Sequence, residues 1–142
     1  MVQISESLAW ELVKNNNCFM KIRNGRSART GSIRFSSEPG NLRNISTFQD
    51  SGIVKEKTID IAATSDNRVT LKIKSKSGKI RTTPLNKCFR RSEKTIMSQA
   101  ISNYYRSDLK KAALAKYSAI YRGNKVATGS TKKRVPVKKG RN

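Results

Sequence analysis

The sequence predicts an α+β fold: a short N-terminal helix, a small antiparallel sheet, two C-terminal helices and an extended basic tail. Three observations lead there. Apolar residues recur at helical spacing near both ends and alternate with polar ones between them. The 142 residues suit one domain. The net charge of +22, from 31 Lys and Arg against 9 Asp and Glu, is laid out unevenly. Residues 1–50 hold 7 bases and 4 acids, 51–100 hold 12 and 4, and 101–142 hold 12 and 1.

In chain order, Glu6 to Val13 predicts a helix, capped by Ser5 or Ser7, with Ile4, Leu8 and Leu12 along one apolar face. Trp10 lies away from that face, placed to pack on a neighbour or stack on a base. Asn15-Asn16-Asn17 ends the helix. Cys18–Arg23 and Gly31–Ser36 read as strands joined through Asn24-Gly25, the second with Ile33 and Phe35 on one face. Glu38-Pro39-Gly40-Asn41 is a loop. Lys57–Thr64 and Arg68–Lys74 alternate strictly and form a hairpin around Ser65-Asp66-Asn67. Thr83-Pro84 reads as an N-cap with proline at the first helical position. The helix expected from Leu85 to about Asn103 has a break near Arg91-Ser92. The last helix is expected to be capped by Ser107 and closed by Gly123, with Leu109, Ala112, Ala113, Tyr117 and Ile120 as its buried stripe. This gives a domain over 1–123 and a basic extension over 124–142, aperiodic and disordered when free.

The absence of His excludes a Ser-His-Asp triad, a Cys-His pair and any His-containing metal site. Cys18 and Cys88 stand 70 positions apart, outside any Cys-x-x-Cys pair, and read as reduced, partly buried thiols. The carboxylates Asp50, Glu56, Asp60 and Asp66 are close in sequence, yet each is explained as a turn, cap or surface charge, so no catalytic set emerges. Ser77-Gly78-Lys79 lacks the first half of a P-loop. No enzyme, metal or cofactor is expected. Without an apolar run long enough for a membrane span, and with no signal-peptide pattern at Met1–Glu6, the chain is expected to be soluble and intracellular, away from membranes.

An excess of permanent cations suits a polyanion, because Lys and Arg neutralise phosphates and release counterions. Candidate RNA contacts are Arg26, Arg29 and Arg34 around the first hairpin, Arg43 beyond it, and the row Lys72, Lys74 and Lys76, extended by Lys79 and Arg81. Arg90 and Arg91 follow on the first long helix, and Arg106, Lys110 and Lys111 at the start of the second. Arg122, Lys125, Lys132, Lys133, Arg134, Lys138, Lys139 and Arg141 complete the set. Tyr104, Tyr105 and Tyr121 lie beside Arg106 or Arg122, an interleaving that RNA binders use and that core-edge tyrosines also produce. No RNP-type aromatic strand and no KH-type Gly-x-x-Gly clamp is present.

Several ordered motifs go further. Trp10-Glu11-Leu12-Val13-Lys14-Asn15, Cys18-Phe19-Met20-Lys21, Phe35 to Leu42, Asn44 to Phe48 with Gly52-Ile53, and Arg81-Thr82-Thr83 resemble the eukaryotic large-subunit ribosomal protein twenty-eight family. The most specific stretch is Tyr105 to Ala113, running into Ser118-Ala119-Ile120. The resemblance covers about residues 5–125. Gly25 to Ser32 resembles a small insertion, Ser77 to Ile80 a shortened link, and Ser107 stands where the family tends to have Pro. The resemblance implies a structural constituent of the cytosolic large subunit, assembled in the nucleolus. Its implied partners are large-subunit rRNA and neighbouring ribosomal proteins, with neither DNA nor a second copy of the chain. The alternative is a nucleolar large-subunit assembly factor of the Mak-sixteen type, which carries clustered cysteines that this chain lacks.

Overall fold

The helix–sheet–helix order is borne out in a computed structural model, which describes residues 4–25 and 27–132. Helix α1 spans Glu6–Val13, and Ser5 Oγ accepts the Leu8 amide at 3.3 Å, satisfying one of the free N–H groups of the first turn. Strands β1 (Met20–Asn24) and β2 (Ser32–Ser36) form an antiparallel ribbon. Strands β3 (Ile59–Ala63), β4 (Val69–Lys74) and β5 (Ile80–Pro84) form a separate antiparallel sheet in that order. Helices α2 (Phe89–Ile96) and α3 (Lys110–Ala127) close the domain, with a π turn at Met97–Ile101 and a 3₁₀ turn at Ser107–Leu109 between them.

The apolar core lies between the three-stranded sheet and the helices. Strict alternation sends Ile59, Ile61, Val69 and Leu71 to one face, where they meet Ile96, Ala100, Ile101, Leu109, Ala113 and Tyr117. Phe89 stacks on Tyr117 with ring centroids 5.1 Å apart, and Tyr121 tilts against both.

A second, polar core lies under the long connection between the sheets. Glu38, Asn41, Asp50 and Ser51 are buried there. Asn41 Nδ2 donates to Glu38 Oε1 at 2.9 Å and to the Ile45 carbonyl at 2.8 Å, while Thr47 Oγ1 donates to Asp50 Oδ2 at 2.8 Å. Gly52 makes the close approach possible, since a Cβ there would stand 2.1 Å from the Pro39 carbonyl oxygen.

Several local expectations are corrected. Thr83-Pro84 does not start a helix: it ends β5, an edge strand, where proline's missing N–H is tolerated. No break occurs at Arg91-Ser92; Ser92 is buried inside α2 and donates its hydroxyl to the Lys87 carbonyl at 3.0 Å. Ser107 makes no cap hydrogen bond and begins the 3₁₀ turn instead. Helix α3 passes through Gly123 and runs to Ala127, held there by Asn124, whose amide donates to the Asn67 carbonyl at 2.7 Å. Cys18 and Cys88 are exposed rather than partly buried. Residues 133–142, most of the expected extension, lie outside the described residues.

Candidate nucleic-acid interface

Nine carboxylates face 31 cations, and the fold uses most of those acids internally. Glu6 binds Lys55 at 2.6 Å, Asp60 binds Lys116 at 2.9 Å, Asp108 binds Arg106 at 2.9 Å, Asp50 lies 3.4 Å from Arg43, and Glu11 pairs with Lys14. Six of the 31 cations lie outside the described residues, and five of the other 25 are in these pairs. The remaining 20 have no carboxylate partner among the described residues.

The expected site residues therefore divide. Arg106 is an internal clamp: Nε and Nη2 donate to Asp108, Nη1 to the Lys57 carbonyl and Nη2 to the Gln49 carbonyl, all at 2.9–3.2 Å. Those bonds hold the Asp108 carboxyl below its ordinary range. Arg34 donates to Asn15 Oδ1 at 2.7 Å, tying β2 to the end of α1 with its charge uncompensated. Lys72 is exposed on the outer face of the sheet; Lys74, on the same face, is half-buried, with Nζ 3.4 Å from the Lys55 carbonyl. Arg81 does not extend that row. It sits opposite Ile73, and cross-strand partners share a face, so it belongs to the other side of the sheet. Lys76 and Lys79 are exposed at the β4–β5 turn. Arg29, in the link of the first hairpin, is exposed, as are Arg122 and Lys132. Arg26, Lys133, Arg134, Lys138, Lys139 and Arg141 fall outside the described residues.

Arg90 and Arg91 occupy the first turn of α2, and Lys110 and Lys111 that of α3; all four are exposed. A helix N-terminus carries partial positive charge and favours anions, so these pairs oppose the local field until an anion arrives.

The fold also assembles a cleft that linear reading did not find. The turn after β3, the link from β5 to α2 and the end of α3 enclose about 470 Å³, lined by Asn67, Arg68, Asn86, Lys87, Asn124 and Lys125 over a floor of Val69 and Leu85. Among the described residues no carboxylate lines it. Lys125 Nζ stands 5.0 Å from the Tyr121 ring centroid, a cation–π contact at the cleft wall. Arg68 and Lys87 escaped notice because they are 19 positions apart, and only the third element, α3, makes them neighbours of Lys125.

The aromatics sort by burial. Trp10 packs edge-on against Phe48 at 6.1 Å, and Tyr105 is half-buried with its hydroxyl on the Lys74 carbonyl. Tyr104 is 89% exposed at φ 51°.

The ordered motifs singled out in the sequence turn out to do folding work. Glu38 and Asn41 build the polar core, and the Tyr105–Ala113 stretch supplies the Arg106 clamp and the core residues Leu109 and Ala113. Comparison with known proteins agrees. The Ribosomal L28e protein family profile matches residues 8–123. The large ribosomal subunit protein eL28 of Dictyostelium discoideum is 40% identical over 60 residues, 42% of this chain and 40% of that protein. Its Schizosaccharomyces pombe counterpart is 28% identical over 127 residues, covering 84% and 92%. The Caenorhabditis elegans protein of the same name is 28% identical over 76 residues, covering 54% and 56%. The aligned stretches thus span less than two thirds of two of these relatives and nearly all of the third. Because the family profile runs from α1 into α3, across both sheets, the chain belongs to the Ribosomal L28e protein family, ribosomal proteins of the large subunit.

Proposed function

We propose that this protein is a non-enzymatic scaffold that binds large-subunit rRNA mainly by backbone and shape, beside neighbouring ribosomal proteins. One observation carries the reading: five of the nine acids are paired within the fold, while 20 described cations have no carboxylate partner among the described residues, three of them lining one cleft. The cleft of Arg68, Lys87 and Lys125 brings three cations to one opening, which an RNA backbone segment would neutralise, and the exposed pairs Arg90–Arg91 and Lys110–Lys111 each add a helix N-terminus to their own charge. A-form RNA hides its major groove, so such contacts position the protein rather than read sequence. The basic extension adds further phosphate contacts, and the protein resides in the cytoplasmic ribosome after nucleolar assembly.

The test is a sucrose gradient of cells expressing the full chain or R68A/K87A/K125A. The wild type is expected in mature large subunits and polysomes, with the variant depleted from both. A wild type confined to nucleolar precursors would favour an assembly factor, and a variant incorporated like the wild type would remove the cleft from the interface.

A further inference from the structure

The β1–β2 ribbon places two rings and two cations on one unpartnered face. Residues opposite one another in an antiparallel pair share a face, so Lys21 with Phe35 and Arg23 with Ile33 lie together. Phe19 joins them by period two, and its carbonyl accepts the Ser37 amide at 3.0 Å, continuing the pairing. Phe19 is 37% and Phe35 38% exposed, and Lys21 and Arg23 are exposed without a carboxylate partner among the described residues. The ribbon is extended at its β2 edge. Beyond β2, the Ser36 amide donates to the Asn44 carbonyl and the Ser46 amide to the Arg34 carbonyl, both at 3.0 Å, making the Asn44–Ser46 segment a third partial strand. Phe19, Lys21, Phe35, Ser37 and Asn44 enclose a cleft of about 250 Å³, below the roughly 300–1,000 Å³ of drug-sized ligand pockets.

We propose that this face is a stacking site for an unpaired RNA nucleotide, the base lying against Phe19 and Phe35 and the flanking phosphates meeting Lys21 and Arg23. The inference rests on the rRNA-binding reading and adds a chemical preference to it: single-stranded, unstacked RNA at this face, duplex backbone elsewhere. Charge decides the occupant. An apolar protein segment would cover Lys21 and Arg23 without neutralising them, which is costly for a buried cation. A nucleotide supplies an apolar ring face and an anion together. Base–aromatic stacking is sequence-tolerant because every base has a π-face. The rings lie 16 positions apart, one just before β1 and the other on β2, so the face has no sequence signature of the RNP kind.

The test uses the purified full chain, an end-labelled 12-nucleotide single-stranded oligo(A) and a 12-base-pair RNA duplex. F19L/F35L keeps apolar bulk and removes the rings. Its Kd for oligo(A) is expected to rise roughly 5- to 30-fold while its Kd for the duplex changes less than about twofold. Thermal unfolding by circular dichroism should match the wild type, and K21Q/R23Q, which keeps the rings, should flatten the salt dependence of oligo(A) binding by about 0.7 per lost phosphate contact. Unchanged oligo(A) affinity in F19L/F35L, or an equal loss for both RNAs, overturns the stacking site. If that variant binds both RNAs normally yet is missing from large subunits, a neighbouring protein covers the face. If the wild type binds neither RNA, the rRNA-binding reading itself fails.

Discussion

The two sheets share strand length and antiparallel pairing yet live in opposite environments. The β3–β5 sheet sends Ile59, Ile61, Val69 and Leu71 into a core closed by α3 and the Ile96–Ile101 turns. The β1–β2 ribbon buries only Ser36 and leaves Ile22, Ile33 and Phe35 exposed. A two-stranded ribbon is marginal in water without a hydrophobic face to cover. This one persists because it is tied to its surroundings: Arg34 to Asn15, Ser36 to Asn44 and Ser46 to Arg34. Stability is thus concentrated in one sheet, and the other is left free to meet a partner.

The contrast breaks most sharply by truncation. Leu71→Ala, in the centre of β4, should lower unfolding free energy by about 2–5 kcal/mol in a denaturant titration, whereas Ile33→Ala in the ribbon should stay within about 0.5 kcal/mol. Equal losses would mean that the ribbon is part of the core. Next in size is the polar core under the connection between the sheets. Gly52→Ala should cost about 1–3 kcal/mol, because the added methyl meets the Pro39 carbonyl oxygen and the Gly40 backbone. The smallest effect concerns acid. Arg106 lowers the Asp108 carboxyl below its ordinary 3.8, and Lys55 lowers Glu6 below its ordinary 4.5. Depressed carboxyls stabilise the fold above those ordinary values and lose that contribution as pH falls through the lower folded values. The urea midpoint should therefore drop below about pH 4, and Asp108→Asn should lower the neutral midpoint and flatten that drop.

Legibility in the sequence followed the range of the interaction. Helix α1, its Ser5 cap and the β3–β4 hairpin were readable because each carries its own period and its own cap or turn signal within about sixteen residues. Strand β5 was not: Thr83-Pro84 carries a strong local helix-start signal, and pairing with β4 overrides it. The Gly123 stop failed for a similar reason, since the Asn124–Asn67 bond holds the helix beyond it. For the candidate interface, the sequence showed which residues are cations but not which are consumed. The Arg106 clamp and the face of Arg81 depend on contacts across the fold, as does the meeting of Arg68, Lys87 and Lys125.

The central claim is that unpaired cations hold rRNA by its phosphates, and the salt dependence of binding tests it most directly. With about 6–10 phosphate contacts, log K for large-subunit rRNA against log salt should have a slope of about −4 to −9, and R68A/K87A/K125A should flatten it by about 2 to 3. A flat line for the wild type, or an unchanged slope for the variant at equal stability, would contradict the account.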